Sequence, residues 1–151
     1  MKKILILYVS ITGNTEEIAN LLKESLAQNA FDITFKGFNI SEADHLNLTS
    51  YDGILFGTHT YDDGDLPYET EIFVDHLLTV DLKDIVVGIF GSGDTAYSYF
   101  CEAVEIMKDE FEGRHATVLE PTVKIELYPD CEEDLEAIKT LAALFQGALL
   151  V

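Results

Sequence analysis

Three short runs of the chain are almost entirely apolar, and each is followed by a segment whose apolar residues recur at helical spacing. The runs lie at residues 3–9, 51–57 and 85–90. Apolar runs of this length predict strands that are buried on both faces, as in a parallel sheet. Residues 31–36 and 117–127 instead alternate apolar and polar side chains, the second with a break at Pro121. This alternation predicts edge strands with one solvated face.

The intervening segments have the spacing of amphipathic helices. The first is predicted at residues 13–28, the second from Leu66 and Pro67 onward, and the third ends near Gly113. Asp130 and Glu133 predict the N-cap and capping-box partner of the last helix. The predicted inward-facing side chains are Ile18, Leu21, Leu22, Leu26, Ile72, Phe73, Leu77, Phe100, Val104, Met107, Phe111, Leu135, Ile138, Ala142, Phe145 and Leu149.

Strands that alternate with helices predict an α/β fold, a three-layer sandwich with a five-stranded parallel sheet between two helical layers. The strand order 2-1-3-4-5 places the two alternating strands at the edges and reverses the direction of winding between strands 1 and 3. No linker or repeat interrupts the pattern, so we expect residues 1–151 to form a single domain. Ligands of such sheets bind at the switch point, beyond the carboxyl ends of the strands.

The segments after strands 1, 3 and 4 are rich in small polar residues and should meet at this switch point. They lie at residues 10–15, 58–65 and 91–96, and we expect all three to be loops. The first joins a buried strand to a helix, so its N–H groups and the helix dipole predict a phosphate site. It contains no Lys, Arg or acidic residue, so hydrogen bonds alone would hold the phosphate, without a metal. Taken alone, it fits a capped polar turn equally well.

The other two segments each bring a tyrosine to this edge, Tyr61 within one and Tyr97 just after the other. Two tyrosines beside a phosphate site favour a flat ring held between their faces. Backbone N–H groups around Ser92, Gly93 and Asp94 could bind ring oxygens, and the Asp94 carboxylate could accept from a ring N–H. Either tyrosine taken singly also fits an ordinary surface residue.

The net charge is −19, from 28 acidic residues against 9 Lys and Arg, which disfavours nucleic acid and anionic membranes as partners. It favours a protein partner with a basic docking face, because residues 62–71 alone hold five acidic residues and no Lys or Arg. No apolar run approaches the roughly 20 residues of a membrane span, and the first run is too short for a signal peptide. We therefore expect a cytoplasmic protein. Cys101 and Cys131 lack metal-ligand spacing and are expected to be reduced thiols.

Together, the three polar segments resemble the flavin loops of flavodoxins. Residues 10–15, SITGNT, are similar to the FMN-phosphate loop, and residues 58–67, THTYDDGDLP, to the second flavin loop. Residues 91–94, GSGD, with Tyr97 and residues 99–101, YFC, are similar to the third. Three motifs in order, each behind the expected strand, are much more specific than one. The resemblance covers essentially the whole chain, and the final strand has no long insertion, as in short-chain flavodoxins.

The resemblance implies a small, low-potential electron carrier with non-covalently bound FMN. The flavin itself would carry one electron at a time between proteins, so the chain would not be an enzyme and would need no catalytic residue. Its partners would be redox proteins with basic faces, a reductase as donor and an enzyme as acceptor, which dock near the flavin. A carrier with an exposed flavin is expected to be a monomer.

The resemblance also implies which residues contact FMN. Thr58 would add a hydroxyl to the phosphate site, Tyr61 would cover the inner ring face, and Tyr97 would stack on the outer face. The backbone near Ser92 and Cys101 would bind the pyrimidine edge together with Asp94. The full set of predicted cofactor contacts is Ser10, Ile11, Thr12, Gly13, Asn14, Thr15, Thr58, His59, Thr60, Tyr61, Asp62, Asp63, Gly64, Ser92, Gly93, Asp94, Tyr97, Phe100 and Cys101.

One position departs from the family pattern. Many flavodoxins have Trp where Tyr61 stands and Gly where Asp62 stands. In the family, the peptide after that aromatic residue flips on one-electron reduction, and glycine makes the flip inexpensive because it adopts positive φ without a steric penalty. Aspartate tolerates that conformation less well. The sequence therefore predicts that the one-electron reduced state forms but is less favoured than with glycine.

Several alternatives remain open at this stage. His59 could contact the phosphate or the ring, or could simply face solvent. An FMN-dependent reductase of quinones would need a substrate pocket above the ring, usually from longer loops or a dimer, and no added loop is visible. A flavoprotein that activates a ribonucleotide reductase would be similarly small. A receiver-type signalling domain of the same topology would need an acidic cluster near Ser10, and the chain has none there.

Overall fold

The computed structural model describes residues 1–10, 12–26, 30–38, 46–60, 64–96 and 99–150. The strands are β1 (Lys2–Tyr8), β2 (Phe31–Gly37), β3 (Gly53–His59), β4 (Val86–Gly93), β5 (Thr117–Val118) and β6 (Val123–Glu126). The helices are α1 (Asn14–Ser25), α2 (Tyr68–Leu77), α3 (Glu102–Gly113) and α4 (Glu132–Leu149). Strands and helices therefore alternate along the chain, as the apolar pattern predicted.

The six strands form one parallel sheet. β1 lies between β2 and β3, β4 follows β3, and both β5 and β6 pair with β4. The order 2-1-3-4-5 is thus confirmed, with β5 and β6 together in the fifth position. The prediction of one strand at 117–127 is corrected to two short strands. Pro121 lies between them and has no N–H to donate to the β4 ladder, which accounts for the interruption.

The two faces of the sheet carry separate apolar cores, because successive strand residues point to opposite sides. In β1, Ile4 and Ile6 belong to the core beneath α1 and α4, whereas Leu5 and Leu7 belong to the core beneath α2 and α3. The second core includes a stacked pair, Phe56 and Phe73, whose ring centroids lie 4.9 Å apart. The three-layer sandwich predicted from the sequence is confirmed.

Several helix boundaries differ from the sequence-based expectation. α1 begins at Asn14 with Gly13 as its N-cap, and α2 begins at Tyr68 with Pro67 as its N-cap. The predicted capping box at Asp130 and Glu133 is wrong, because Cys131 is the N-cap of α4 and no side chain caps that end. Asp130 lies one residue too early in the chain to reach the first turn from the cap position.

The inward faces of the helices mostly agree with the predicted spacing. Within α4, however, Leu141 is fully buried although it was not predicted, and Leu135 is only half-buried. Leu21, Ile72 and Phe100 are also only partly buried and pack at the margins of the cores. Among the described residues, no helix is both long enough and apolar enough to cross a membrane.

Candidate functional site

The three polar segments lie side by side at the carboxyl edge of the sheet. Val9, which leads into the first segment, donates its N–H to the carbonyl of Gly57 in β3 at 3.0 Å. Thr60, in the second segment, donates its N–H to the carbonyl of Ser92 in β4 at 3.2 Å. These backbone bonds tie the ends of β1, β3 and β4 together at the predicted switch point, because parallel strands share one carboxyl edge.

The first segment turns sharply into α1 through Gly13. This residue has φ +90°, a left-handed conformation that L side chains rarely adopt, and its N–H donates to Oγ of Ser10 at 3.1 Å. The first main-chain helical bond runs from the Glu17 N–H to the Gly13 carbonyl at 3.0 Å. The N–H groups of Asn14 and the next two residues precede that bond, so they point out of the helix start with no helical acceptor.

Hydroxyl groups add to these backbone donors. Because Ser10 uses an oxygen lone pair to accept from Gly13, its hydroxyl hydrogen can still be donated to a ligand. Thr12 is exposed at the same turn, and Asn14 is half-buried there. Ile11, a predicted contact, lies outside the described residues.

Thr15 points inward from the first turn of α1. Its side chain is 1% exposed, and its Oγ1 lies 2.7 Å from Oγ of Ser92, which is 4% exposed. The sequence predicted Ser92 as a backbone contact for a ring edge. Its side chain instead faces the phosphate loop and joins that loop to β4.

Thr58 and His59 were predicted in a loop but belong to the last two positions of β3, where they pair with Gly91 and Ser92 of β4. The ladder extends this far because β4 continues beside them. The Thr58 hydroxyl is fully buried and lies 3.1 Å from Oγ1 of Thr70 in α2 and 3.2 Å from the His59 carbonyl. The Thr58 hydroxyl, which was predicted to bind the phosphate, and the Thr15 hydroxyl are therefore each held in a buried hydroxyl pair.

His59 is half-buried, and both of its ring nitrogens are shielded from solvent. Burial lowers the pKa of His59 from the ordinary value of 6.5, although the Val9 backbone and the negative charge of Glu69 act in the opposite direction. The pKa of a histidine falls on burial because the charged imidazolium loses hydration. His59 thus favours the neutral form at pH 7 and brings no full positive charge to this edge.

The second segment is anchored to the start of α3. Thr60 accepts a hydrogen bond on its hydroxyl from the Ala103 N–H at 3.1 Å. Gly64 has φ +86° and packs against Tyr99, because a Cβ placed on Gly64 would lie 2.8 Å from Cβ of that tyrosine. Tyr61, Asp62 and Asp63, which lie between these anchors, fall outside the described residues.

The third segment is partly strand. The predicted loop at 91–96 is wrong for its first three residues, because β4 continues through Gly93, pairing with β3 as far as Ser92 and with β6 as far as Gly93. Asp94 begins the turn, and its Oδ1 accepts the Ala96 N–H at 2.9 Å. The Thr95 hydroxyl donates to Glu126 at the end of β6. Tyr97, the second predicted ring contact, lies outside the described residues.

Cys101 closes this segment as the N-cap of α3, with φ +52°. It is fully buried, and its Sγ lies 3.9 Å from the carbonyl oxygens of Gly91 and Ile125. Burial raises the pKa of the Cys101 thiol to about 12, although the charge of Lys124 and the Ile125 backbone oppose the shift. Both cysteines are free thiols, as predicted, and Cys131 is exposed. The Cys101 side chain is therefore an inert packing group, while Phe100 before it is half-buried.

Sequence reasoning missed several residues at this edge. Thr70 could have been found, because it lies three residues before Phe73 and seven before Leu77 on the inward stripe of α2. The segment after β6 gave no comparable signal. The Leu127 N–H donates to the Gly93 carbonyl at 2.8 Å, and the Tyr128 hydroxyl donates to Glu17 at 2.9 Å.

The donor set of this edge fits a phosphate monoester. Ser10, Thr12 and the start of α1 supply neutral hydroxyl and N–H donors around one turn. In the part of the chain that the structure describes, no group of three or more His, Cys, Asp or Glu is placed to hold a metal ion. These residues therefore fit the phosphate end of FMN, the cofactor that the resemblance implied.

Comparison with known proteins agrees with this geometry. The family model described as Flavodoxin matches residues 6–140. The chain is 42% identical over 145 residues to a probable flavodoxin 1 of Bacillus subtilis, covering 96% of this chain and 90% of that protein. It is 43% identical to oxidised flavodoxin 2 of Bacillus cereus, with a TM-score of 0.88 and coverage of 96% and 98%. A short-chain flavodoxin associated with a non-canonical PDU bacterial microcompartment is 34% identical, with a TM-score of 0.86 and coverage of 99% and 97%. The chain therefore belongs to the flavodoxin family, and its similarity is to the short-chain members.

Proposed function

We propose that this chain is a low-potential electron carrier that holds FMN non-covalently at the carboxyl edge of its sheet. The observation that carries the proposal is the 2.7 Å contact between Thr15 and Ser92. This contact joins the first turn of α1 to the β4 segment predicted to bind the pyrimidine edge, which supports one site for the phosphate and the ring. Membership of the flavodoxin family supports FMN as the cofactor.

The residues of the first segment would hold the phosphate. Ser10 and Thr12 would donate through their hydroxyls, and the first-turn N–H groups that begin with Asn14 would donate along the helix axis. No side chain of this loop carries a positive charge, so neutral donors alone would stabilise the dianion. Their alignment would therefore decide the affinity for the phosphate.

The residues of the other two segments would orient the ring. Asp94 uses one carboxylate oxygen for the Ala96 N–H, and its remaining lone pairs can accept from a ring N–H. Gly64, packed on Tyr99 and anchored through Thr60, would hold the second loop close to the ring. FMN supplies the one-electron chemistry when bound, so the protein needs no acid, base or nucleophile of its own.

The negative charge of the chain would set the reduction potential of the bound flavin and the choice of partner protein. Asp94 and Glu126 lie at the carboxyl edge, and residues 62–71 add five further carboxylates in the second segment and the start of α2. Negative charge near the ring disfavours adding an electron, which makes the reduced carrier a stronger reductant. The same field would steer redox proteins with basic faces toward this edge, where Tyr99 and Leu127 are also exposed.

An anaerobic spectral titration of the protein as isolated tests the proposal. We expect flavin absorbance with one FMN per chain, reduction in two separate one-electron steps, and negligible turnover of NADH with a quinone. A protein that cannot be loaded with FMN would contradict the proposal. Fast NADH–quinone turnover by the pure protein would instead assign it to the FMN-dependent reductases.

A further inference from the structure

All four buried threonine and serine side chains of the described residues lie at the carboxyl edge of the sheet. They are Thr15, Thr58, Thr70 and Ser92, with exposed fractions of 1%, 0%, 0% and 4%. Buried hydroxyls are costly unless they are hydrogen-bonded, and these four satisfy one another in two pairs. Their concentration at one edge points to a role beyond packing.

Each pair joins a predicted phosphate residue to a second element of the fold. Oγ1 of Thr15 in α1 lies 2.7 Å from Oγ of Ser92 in β4, and either atom can be the donor. Oγ1 of Thr58 in β3 lies 3.1 Å from Oγ1 of Thr70 in α2, again with either direction open. The two pairs thus connect the first turn of α1 to β4 and the end of β3 to α2.

We propose that Ser92 and Thr70 are positioning residues for the FMN phosphate, acting through Thr15 and Thr58. This inference rests on the FMN-carrier function proposed above. Ser92 would fix the first turn of α1, and with it the N–H donors that face the phosphate. Thr70 would fix the end of β3 beneath the same site.

The proton count of each pair explains how such positioning works. A hydroxyl donates one proton and accepts up to two hydrogen bonds, whereas a phosphate dianion only accepts. When the Thr15 hydroxyl turns its proton toward the phosphate, Ser92 must donate to Thr15. Thr58 donates its proton to the His59 carbonyl at 3.2 Å in the structure, so it must turn that proton from the carbonyl to the phosphate, with Thr70 donating to Thr58. Hydrogen bonds in series polarise one another, which partly offsets the lack of a cationic side chain in the loop.

Shielding from water makes both pairs sensitive to the loss of one member. If Ser92 lost its hydroxyl, Thr15 would remain buried without that partner, and the start of α1 would shift or rotate to satisfy it. The donors aimed at the phosphate would then be misaligned, while the ring site of the third segment would keep its backbone. Binding of a flavin without phosphate should therefore change much less than binding of FMN.

The test compares the affinities of FMN and riboflavin for apoprotein prepared from each variant. Ser92→Ala and Thr70→Val should each weaken FMN binding about fivefold to tenfold and change riboflavin binding less than about twofold. Thr70→Ser, which keeps the hydroxyl, should restore most of the FMN affinity. Thr79→Val is the matched control, because it removes an exposed threonine hydroxyl just beyond α2 and should change neither affinity.

A double variant tests whether the residues of a pair act together. Thr15→Val combined with Ser92→Ala should weaken FMN binding by little more than the larger single change, since both remove the same interaction. Equal losses for FMN and riboflavin, or fully additive losses in the double variant, would overturn the inference while leaving the carrier function intact. Wild-type protein that binds no FMN would instead overturn the proposed function. Far-ultraviolet circular dichroism of every variant checks that it is folded.

Discussion

The carbonyl oxygen of Thr58 lies directly against Gly91, so closely that a Cβ on Gly91 would sit 2.4 Å from it. The same Cβ would lie 2.5 Å from Cγ2 of Val104 in α3. The ends of β3 and β4 and the start of α3 therefore approach one another only because residue 91 has no side chain. This close approach brings the second and third polar segments together.

Gly91→Ala should destabilise the protein by about 1–3 kcal/mol, because backbone and a buried valine must move to admit one methyl group. Gly147→Ala is the matched control, since nothing lies within 4 Å of a Cβ there and the residue is inside α4. The free energy of unfolding of that control should rise by roughly 0.5–1 kcal/mol, because alanine lowers the backbone entropy of the unfolded chain. Urea unfolding of both apoproteins provides the measurement, and equal stability of the two variants would contradict the packing argument.

The Cys101 thiol should resist modification in the folded protein. It is buried and its pKa is raised to about 12, so almost no thiolate forms near pH 8. Ellman's reagent should titrate about one thiol per chain in the native state, the exposed Cys131, and both after unfolding. In Cys131→Ser the rapid native reaction should vanish. Rapid reaction of that variant would show that Cys101 is accessible.

The stability of the apoprotein should depend on His59 in mild acid. The folded pKa of His59 lies below its ordinary value of 6.5, so the unfolded chain binds more protons in that range. The contribution of neutral His59 to the free energy of unfolding is therefore fully present above pH 6.5. It is lost as the pH falls through the pKa of His59 in the folded state. Free energies of unfolding at pH about 7.5 and about 5.5 should differ less in His59→Gln than in the wild type. A His59→Gln variant whose free energy of unfolding changes between these two pH values as much as that of the wild type would contradict the argument.

Asp62→Gly should make the first one-electron reduction of bound FMN easier. The expected gain is roughly 1 kcal/mol, the difference between aspartate and glycine in a backbone conformation with positive φ. Spectroelectrochemical titration of the first one-electron couple measures it, with Asp62→Asn as the control that removes the same charge without the conformational freedom of glycine, and the first potential should be higher in Asp62→Gly than in Asp62→Asn. Potentials unchanged from the wild type would show that the peptide flip does not limit reduction in this chain.

Neutralising the acidic second segment should raise the potential of full reduction. A carboxylate about 10 Å from the ring, at an effective dielectric constant of about 20, opposes the added negative charge by about 1.7 kcal/mol before salt screening. The combined variant Asp62→Asn, Asp63→Asn and Asp65→Asn should therefore have a more positive potential, and the shift should shrink in high salt.

The matched control neutralises three acids at the opposite end of the sheet, at Glu24, Asp32 and Glu112, near the end of α1, the start of β2 and the end of α3. It changes the net charge by the same amount but leaves the carboxyl edge intact. Equal potential shifts in the two variants would mean that only the overall charge matters.

The local apolar pattern was sufficient to predict the alternation of strands and helices, because each short run needs only its own composition to favour a buried strand. Leu5 and Leu7 on one face of β1, with Ile4 and Ile6 on the other, follow from period-two geometry alone. The polar segments could be placed at one edge for the same reason, since all parallel strands end there. Resemblance of those segments to flavodoxins then predicted the family that the comparisons confirmed.

The tertiary structure decided what depends on residues far apart in the chain. β4 extends through Gly93 because β6, which begins 30 positions later at Val123, pairs with it, and no local signal marks that extension. The Thr15–Ser92 pair joins residues 77 positions apart, so neither residue's surroundings in sequence could predict it. The hydrogen-bond partner of a buried hydroxyl depends on which elements pack together in three dimensions. The tendency of a short segment to form a buried strand depends on its own side chains. The sequence by itself therefore determined the fold and the edge that carries the site, and only the packing of β3, β4, α1 and α2 decided how the hydroxyls of that edge are held.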